Sequence, residues 1–330
     1  MAIIAGGLVA APLAAAAQQP GKTARVGELL VGPAPSPEEL ARAISTSPFW
    51  LAMKELGWVD GHNIVVERRY GESADQLRAA ATDLVRLKVD VLFVPSAGLA
   101  KILQQETKTI PIAAYAGGDL VAGGLVASLA RPGGNLTGVQ IRNDDLIPKK
   151  LEFLKALVPN LSRLAFLQED VTLWAVPQLV ALYNQEAAIA ARTLGIKIHT
   201  VVVHRPGEFT AAFISMTKNR DQGLLVMSSP FMFVHRKEIA ELAAKHRIVA
   251  IYESPGIVVA GGLMSYSVNP AEMARRQAVV VDKILRGAKP GDLPIEQPTR
   301  FELVINLKAA KTLGLTIPPS VLGRADKVLE

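Results

Sequence analysis

The chain has 330 residues, half of them hydrophobic and a fifth charged, and no cysteine. That length permits two ordinary domains, each with its own core, and the lack of cysteine excludes disulfides, thiolate nucleophiles and Cys-based zinc or iron–sulfur centres. The 36 basic and 30 acidic residues leave a net charge of +6, scattered in pairs such as Arg68-Arg69, Lys149-Lys150 and Arg275-Arg276. These pairs read as solvated helix faces or strand ends, not as a basic stripe with interleaved aromatics, so no nucleic-acid partner is expected.

Residues 1–17 carry no charge and are almost wholly apolar or small, and Ala15-Ala16-Ala17 before Gln18 has the form that signal peptidase prefers. They predict a cleaved signal peptide and a periplasmic location, although no Lys or Arg precedes the apolar run. Short β-rich runs then alternate with helical patterns. Strands are expected at Arg25–Val31, Ile64–Glu67, Val89–Val94, Ile110–Ala114 and Leu136–Ile141. Ser47-Pro48 opens a helix that Gly57 ends. Ser73-x-x-Gln76 opens a second, and Ser96–Gln105 forms a third. The pattern starts again with strands at Arg163–Leu167, Ile196–Val203, Gly223–Met227 and Val249–Tyr252. Helices are expected at Trp174–Leu194, Glu208–Lys218 and around Ile239–Ala243. Asn269-Pro270-Ala271-Glu272 is a strong helix start, with the helix running to Leu285, followed by a strand at Phe301–Asn306 and a short helix to Leu313.

Strands alternating with helices imply parallel sheets with right-handed crossovers. The expected fold is α/β, with two doubly wound parallel-sheet lobes joined by a hinge near Gln140–Lys150. The N-terminal lobe spans 24–140 and regains part of 266–288; the C-terminal lobe spans 141–265 and regains part of 296–330.

No G-x-S-x-G, G-x-x-x-x-G-K-[ST] or H-E-x-x-H occurs, and the Gly-Gly pairs at 117–118 and 123–124 do not form a dinucleotide fingerprint. His199, His204, His235 and His246 lack the spacing of a metal site and read as surface or packing residues. No enzyme, metal or cofactor is expected. A binding cleft is better supported, because open parallel sheets bind ligands beyond the carboxyl ends of their strands. The residues at those ends include Ser96, Ala97, Tyr115, Asp119, Ser228, Ser229, Glu253 and Tyr266. Serine hydroxyls and helix N-termini suit a carboxylate. Glu253 or Asp119 could take an ammonium group, and Tyr115 and Tyr266 offer flat apolar walls. The bland alternative is that each serine caps its own helix and each tyrosine packs. Trp50, Trp58 and Trp174 read as packing residues or loop edges.

Five segments carry a family resemblance: Leu56–Ile64 (LGWVDGHNI), Asp119–Gly138 (DLVAGGLVASLARPGGNLTG), Gly261–Tyr266 (GGLMSY), Phe301–Lys308 (FELVINLK) and Gly314–Pro319 (GLTIPP). In this order they resemble the ABC transporter substrate-binding family that includes tryptophan- and tyrosine-binding proteins, over nearly all of the chain after the leader. The resemblance implies a type I periplasmic-binding-protein fold that closes over a small solute, an aromatic amino acid in characterised relatives. It also implies permease and ATPase partners. Two cleft positions depart from the family: Ser229-Pro230 stands where Asp-Pro is usual, and Gly118-Asp119-Leu120 where Gly-Asp-Pro is usual. The expected function is therefore capture of an amino acid or related zwitterion by a monomeric, exported protein. A sensor input presenting its solute to a signalling receptor is the alternative, and a lactose-repressor-like regulator is disfavoured because no helix-turn-helix precedes the first strand.

Overall fold

The computed structural model describes residues 23–330; the leader at 1–17 lies outside the described residues. In the first lobe β1 (Ala24–Val31) leads through α1 (Pro37–Thr46) and α2 (Pro48–Glu55) to β2 (Ile64–Gly71). Then come α3 (Ala74–Arg86), β3 (Val91–Val94), α4 (Ala97–Glu106), β4 (Ile112–Gly117) and β5 (Leu136–Ile141). The five strands run parallel in the order β2-β1-β3-β4-β5. Alternation along β1 sends Leu29 and Val31 to one face and Val26 to the other. The first face is covered by Leu77, Ala81 and Leu84 of α3 and by Leu99, Ile102 and Leu103 of α4. The second is covered by Phe49, Ala52 and Met53 of α2, joined by Ala278, Val281 and Ile284 from far along the chain. Each fully buried large side chain of this kind contributes about 1.5–3 kcal/mol.

The second lobe contains α5 (Ile147–Leu157), β6 (Arg163–Glu169), α6 (Pro177–Thr193), β7 (Lys197–Val203), α7 (Phe209–Lys218) and β8 (Gly223–Val226). It continues with α8 (Pro230–Val234), α9 (Arg236–Lys245), β9 (Val249–Tyr252), α10 (Pro255–Val259) and β10 (Met264–Ser267). Helix α11 (Pro270–Leu285) then packs on α2 and the first sheet, and β11 (Glu302–Asn306), α12 (Leu307–Leu313), α13 (Pro319–Leu322) and β12 (Lys327–Leu329) complete the second lobe. The seven strands lie in the order β12-β11-β10-β9-β8-β6-β7, parallel except where β11 meets β10. The chain passes between lobes through residues 142–146, 267–270 and 297–301. Just before the last passage Glu296 pairs with Val139 at the edge of the first sheet.

Three local features go beyond what the sequence suggests. Residues 32–37 lead directly into α1: Ser36 accepts from the Glu39 N–H at 3.2 Å while Glu39 bonds back to the Ser36 N–H at 2.9 Å, with Pro37 in the first turn. The expected helix at 174–194 starts only at Pro177, after a separate turn at Leu173–Ala175, because a proline suits the first turn and disfavours helix in the residue before it. The hinge expected near Gln140–Lys150 falls on the first crossing segment, and that segment is structured, with a 3₁₀ turn at Asp144–Leu146 and the start of α5. Within it Lys150, expected on a solvated face, has 0% exposure.

The lobes share an apolar seam: Leu120 and Leu125 of the first and Val176 and Leu179 of the second belong to one continuous core. At the seam's edge the Arg78 guanidinium lies 4.1 Å from the Trp174 ring centroid. At Gly98 on α4 a Cβ would collide with the Thr172 carbonyl oxygen and stand 2.9 Å from its carbon.

Burial also sets a pH dependence. Glu28 on β1 faces Arg68 on β2, with Oε2 2.7 Å from Nε, yet desolvation outweighs the guanidinium and pushes the carboxyl up to about 7 from 4.5. A carboxyl raised in the folded state contributes stability that is complete below about pH 4.5 and is lost as pH rises through about 7. The thermal midpoint should therefore fall more for the native chain than for Glu28→Gln between about pH 5 and pH 8. Parallel profiles for the two proteins would refute this assignment.

Candidate functional site

A cleft of about 600 Å³ opens between the lobes, at the carboxyl ends of the parallel strands. The first lobe contributes Leu30 and Val31 from the end of β1, Tyr70 from β2, Ser96 after β3 and Tyr115 from β4. The second contributes Ser228, Ser229 and Phe233 after β8 and Glu253 and Ser254 after β9. Asn143 and Val268, from two of the crossing segments, close the back. A pocket of about 50 Å³ adjoins it, lined by Ala97, Gly98, Thr172, Leu179 and Tyr183, and shares Ser96, Asn143, Ser228, Ser229 and Glu253 with the cleft.

The walls are chiefly apolar. Tyr115 packs against Val139, Ile141, Val268 and Met273, and burial raises its phenol well above the ordinary range, so it stays protonated and can donate a hydrogen bond. Ser96 caps α4, its hydroxyl oxygen accepting from the Leu99 N–H at 3.2 Å, and the start of α4 lines the cavities, Ser96 both of them and Ala97 and Gly98 the adjoining pocket. Ser229 caps α8 in the same way, accepting from Met232 at 3.2 Å, and its side chain also meets Glu169. For these serines the capping role and the cleft position coexist.

The two carboxylates offered for an ammonium group sit in different surroundings. Glu253 is 4% exposed, and its Oε1 receives both Lys150 Nζ and the Tyr183 hydroxyl, while its Oε2 accepts from the Ser228 N–H at 3.0 Å. Both oxygens are thus engaged inside the protein. Burial lowers the Lys150 ammonium, with Glu253 opposing that shift, and burial raises the Tyr183 phenol. Asp119 does not line the cleft. Its Oδ1 accepts from the N–H groups of Val121 and Ala122, both at 3.0 Å, and its Oδ2 meets Arg142 at 3.1 Å. Tyr266 also lies elsewhere, on β10, with its ring centroid 5.4 Å from Phe153 and 6.2 Å from Phe301.

Of the eight residues selected from the sequence, the structure brings Ser96, Tyr115, Ser228, Ser229 and Glu253 to the cleft and Ala97 to the adjoining pocket. Sequence reasoning missed Tyr70, Asn143 and Phe233. Tyr70 ends a strand that runs four residues further than its apolar pattern, since Ile64–Glu67 was expected and β2 extends to Gly71. Phe233 lies on a helix of five residues, too short for a periodic signal.

Two parallel α/β lobes, joined by crossing segments behind a cleft at their strand ends, define a type I periplasmic-binding-protein fold. The chain belongs to the ABC transporter substrate binding protein family, whose model matches residues 41–329. It is 25% identical over 275 residues to a tyrosine-binding protein of Clostridioides difficile (strain R20291), covering 81% of this chain and 75% of the relative. Among solved structures it is similar to an ABC domain from Streptococcus pneumoniae in complex with L-Trp, at 24% identity and a TM-score of 0.79, covering 93% of this chain and 100% of the other. It also resembles a ligand-free, open substrate-binding protein with adhesive properties from Clostridium difficile, at 22% identity and a TM-score of 0.57, covering 93% and 99%. The family is one of solute-binding proteins, which act outside the cytoplasm, and among the described residues no helix is long and apolar enough to cross a membrane.

Proposed function

We propose that this protein captures an amino acid with an aromatic or large apolar side chain in the periplasm and delivers it to the permease and ATPase of an ABC uptake system. The observation that carries this reading is the cleft itself. Tyr70, Tyr115 and Phe233 offer an apolar chamber, and Ser96 with the start of α4 offers hydrogen-bond donors to a carboxylate at its edge. The volume of about 600 Å³ suits a solute of that size. The tyrosine-binding and L-Trp-bound relatives support the same class of ligand. Export would depend on the leader at 1–17, and the captured solute would be held by a monomer whose lobes close around it by a hinge movement of the crossing segments.

Thermal-shift screening of the mature protein against the twenty amino acids tests the reading. A ligand at a hundred times its dissociation constant adds about 2.7 kcal/mol of apparent stability. Tryptophan, tyrosine or phenylalanine should give the largest shifts. A flat response across all twenty would exclude an amino-acid solute.

A further inference from the structure

Asn143 is the polar group at the back of the cleft that the internal hydrogen bonding leaves open. It sits on the segment that carries the chain from the first lobe to the second and lines both the cleft and the adjoining pocket. Its side chain is buried, the residue being 7% exposed, and Oδ1 is out of contact with solvent and has no hydrogen-bond partner. Its backbone is held, because the Asn143 carbonyl accepts from Lys150 Nζ at 3.2 Å. A buried acceptor fixed in place without a donor is unfavourable until a donor arrives.

The surrounding charges explain why this group is the one available. Glu253 has both oxygens engaged by Lys150, Tyr183 and the Ser228 N–H. The neighbouring Asp144 is paired with Arg142, whose Nε lies 3.1 and 3.0 Å from its two oxygens. Ser96 lines the same two cavities as Asn143. Ser96 and Asn143, the latter carrying an unpartnered acceptor, thus line one space, matching the two ends of an α-amino acid head group.

We propose that Asn143 Oδ1 accepts a hydrogen bond from the ammonium group of the bound amino acid, a role for which Glu253, with both oxygens engaged, and Asp119, outside the cleft, are less suited. This rests on the amino-acid reading of the cleft and adds the group that recognises the amine. Because Asn143 belongs to a crossing segment, the contact also ties occupancy of the cleft to the conformation of the hinge.

The test uses calorimetry on the full mature chain with the amino acid giving the largest thermal shift, alongside its desamino analogue (indole-3-propionate if tryptophan, phenylpropionate if phenylalanine, hydroxyphenylpropionate if tyrosine). Asn143→Leu should weaken amino-acid binding at least tenfold and leave the analogue within threefold of its native affinity. Asn143→Asp, which keeps the acceptor and adds charge, should bind the amino acid as tightly as the native chain or tighter. The thermal midpoint of ligand-free Asn143→Leu should stay near the native one, since no internal side-chain bond is lost, whereas Asn143→Asp, which buries a charge, should melt lower without ligand. The proposal is overturned if Asn143→Leu binds the amino acid normally. It is equally overturned if Asn143→Asp loses binding, as expected were the amide donating from Nδ2 to the ligand carboxylate. If the native chain responds to no amino acid, the amino-acid reading fails first and this contact falls with it, a result distinct from either variant outcome.

Discussion

Gly98→Ala should leave both lobes folded and yet weaken solute binding at least tenfold, by holding the lobes apart. Gly98 lies in the first turn of α4, away from the positive-φ region, so alanine fits the backbone and should stabilise the separated first lobe by up to about 0.5–1 kcal/mol. The obstacle lies across the seam. The new methyl would overlap the carbonyl oxygen of Thr172, and that backbone cannot retreat easily. Thr172 is fully buried, its N–H donating to Glu169 at 2.9 Å and its hydroxyl to the same carboxylate at 2.6 Å. Every 1.4 kcal/mol of clash charged to the closed state alone is a factor of ten in affinity. Gly123→Ala should do less, because its methyl would meet the movable Leu179 side chain at 2.6 Å and not a backbone. Calorimetry paired with thermal denaturation of the ligand-free protein separates the effects. Native affinity in Gly98→Ala would show that the seam does not have to close as it does here.

The second large effect is expected at Lys150. Truncating one partner of a buried ion pair leaves the other charge without compensation and typically costs about 3–5 kcal/mol. Lys150 has 0% exposure and Glu253 4%, with Tyr183 and the Ser228 backbone arranged around the pair. Lys150→Met should therefore lose roughly that much stability in urea denaturation. A double change, Lys150→Met with Glu253→Gln, should recover a good part, because it removes the stranded charge. A loss below about 1 kcal/mol for the single variant would mean that water reaches the pair.

These two sites mark where sequence reasoning succeeds and where it stops. Helix α11 is legible because its start is entirely local: Asn269 Oδ1 accepts from the N–H groups of Ala271 and Glu272 at 3.0 and 3.1 Å, with Pro270 in the first turn. Strand β5 is equally plain, since Leu136–Ile141 is buried at every position and flanked by turn residues. The same local logic is present at Ser36–Glu39, but α1 buries none of its residues and so adds nothing to the core that the strand–helix alternation traces. Helix α5 is hidden for the opposite reason. Its Lys149-Lys150 pair reads as solvent-facing, and only the fold brings Glu253, 103 residues away, to Lys150.

The location of the cleft is legible by the same argument, because strand ends can be counted from sequence. Its chemistry is not. Whether a carboxylate is free or engaged depends on partners supplied by other elements, as Glu253 shows with Lys150 from α5 and Tyr183 from α6. Asn143, between Arg142 and Asp144, looks like any polar connector until its burial is known.

The central claim, capture of a solute between two closing lobes, is tested most directly by small-angle scattering of the mature chain, with and without a saturating amount of the amino acid found by thermal shift. The radius of gyration should fall on binding in the native chain, and Gly98→Ala should need at least tenfold more ligand to reach the same fall. A native profile that does not change at saturation would contradict the account.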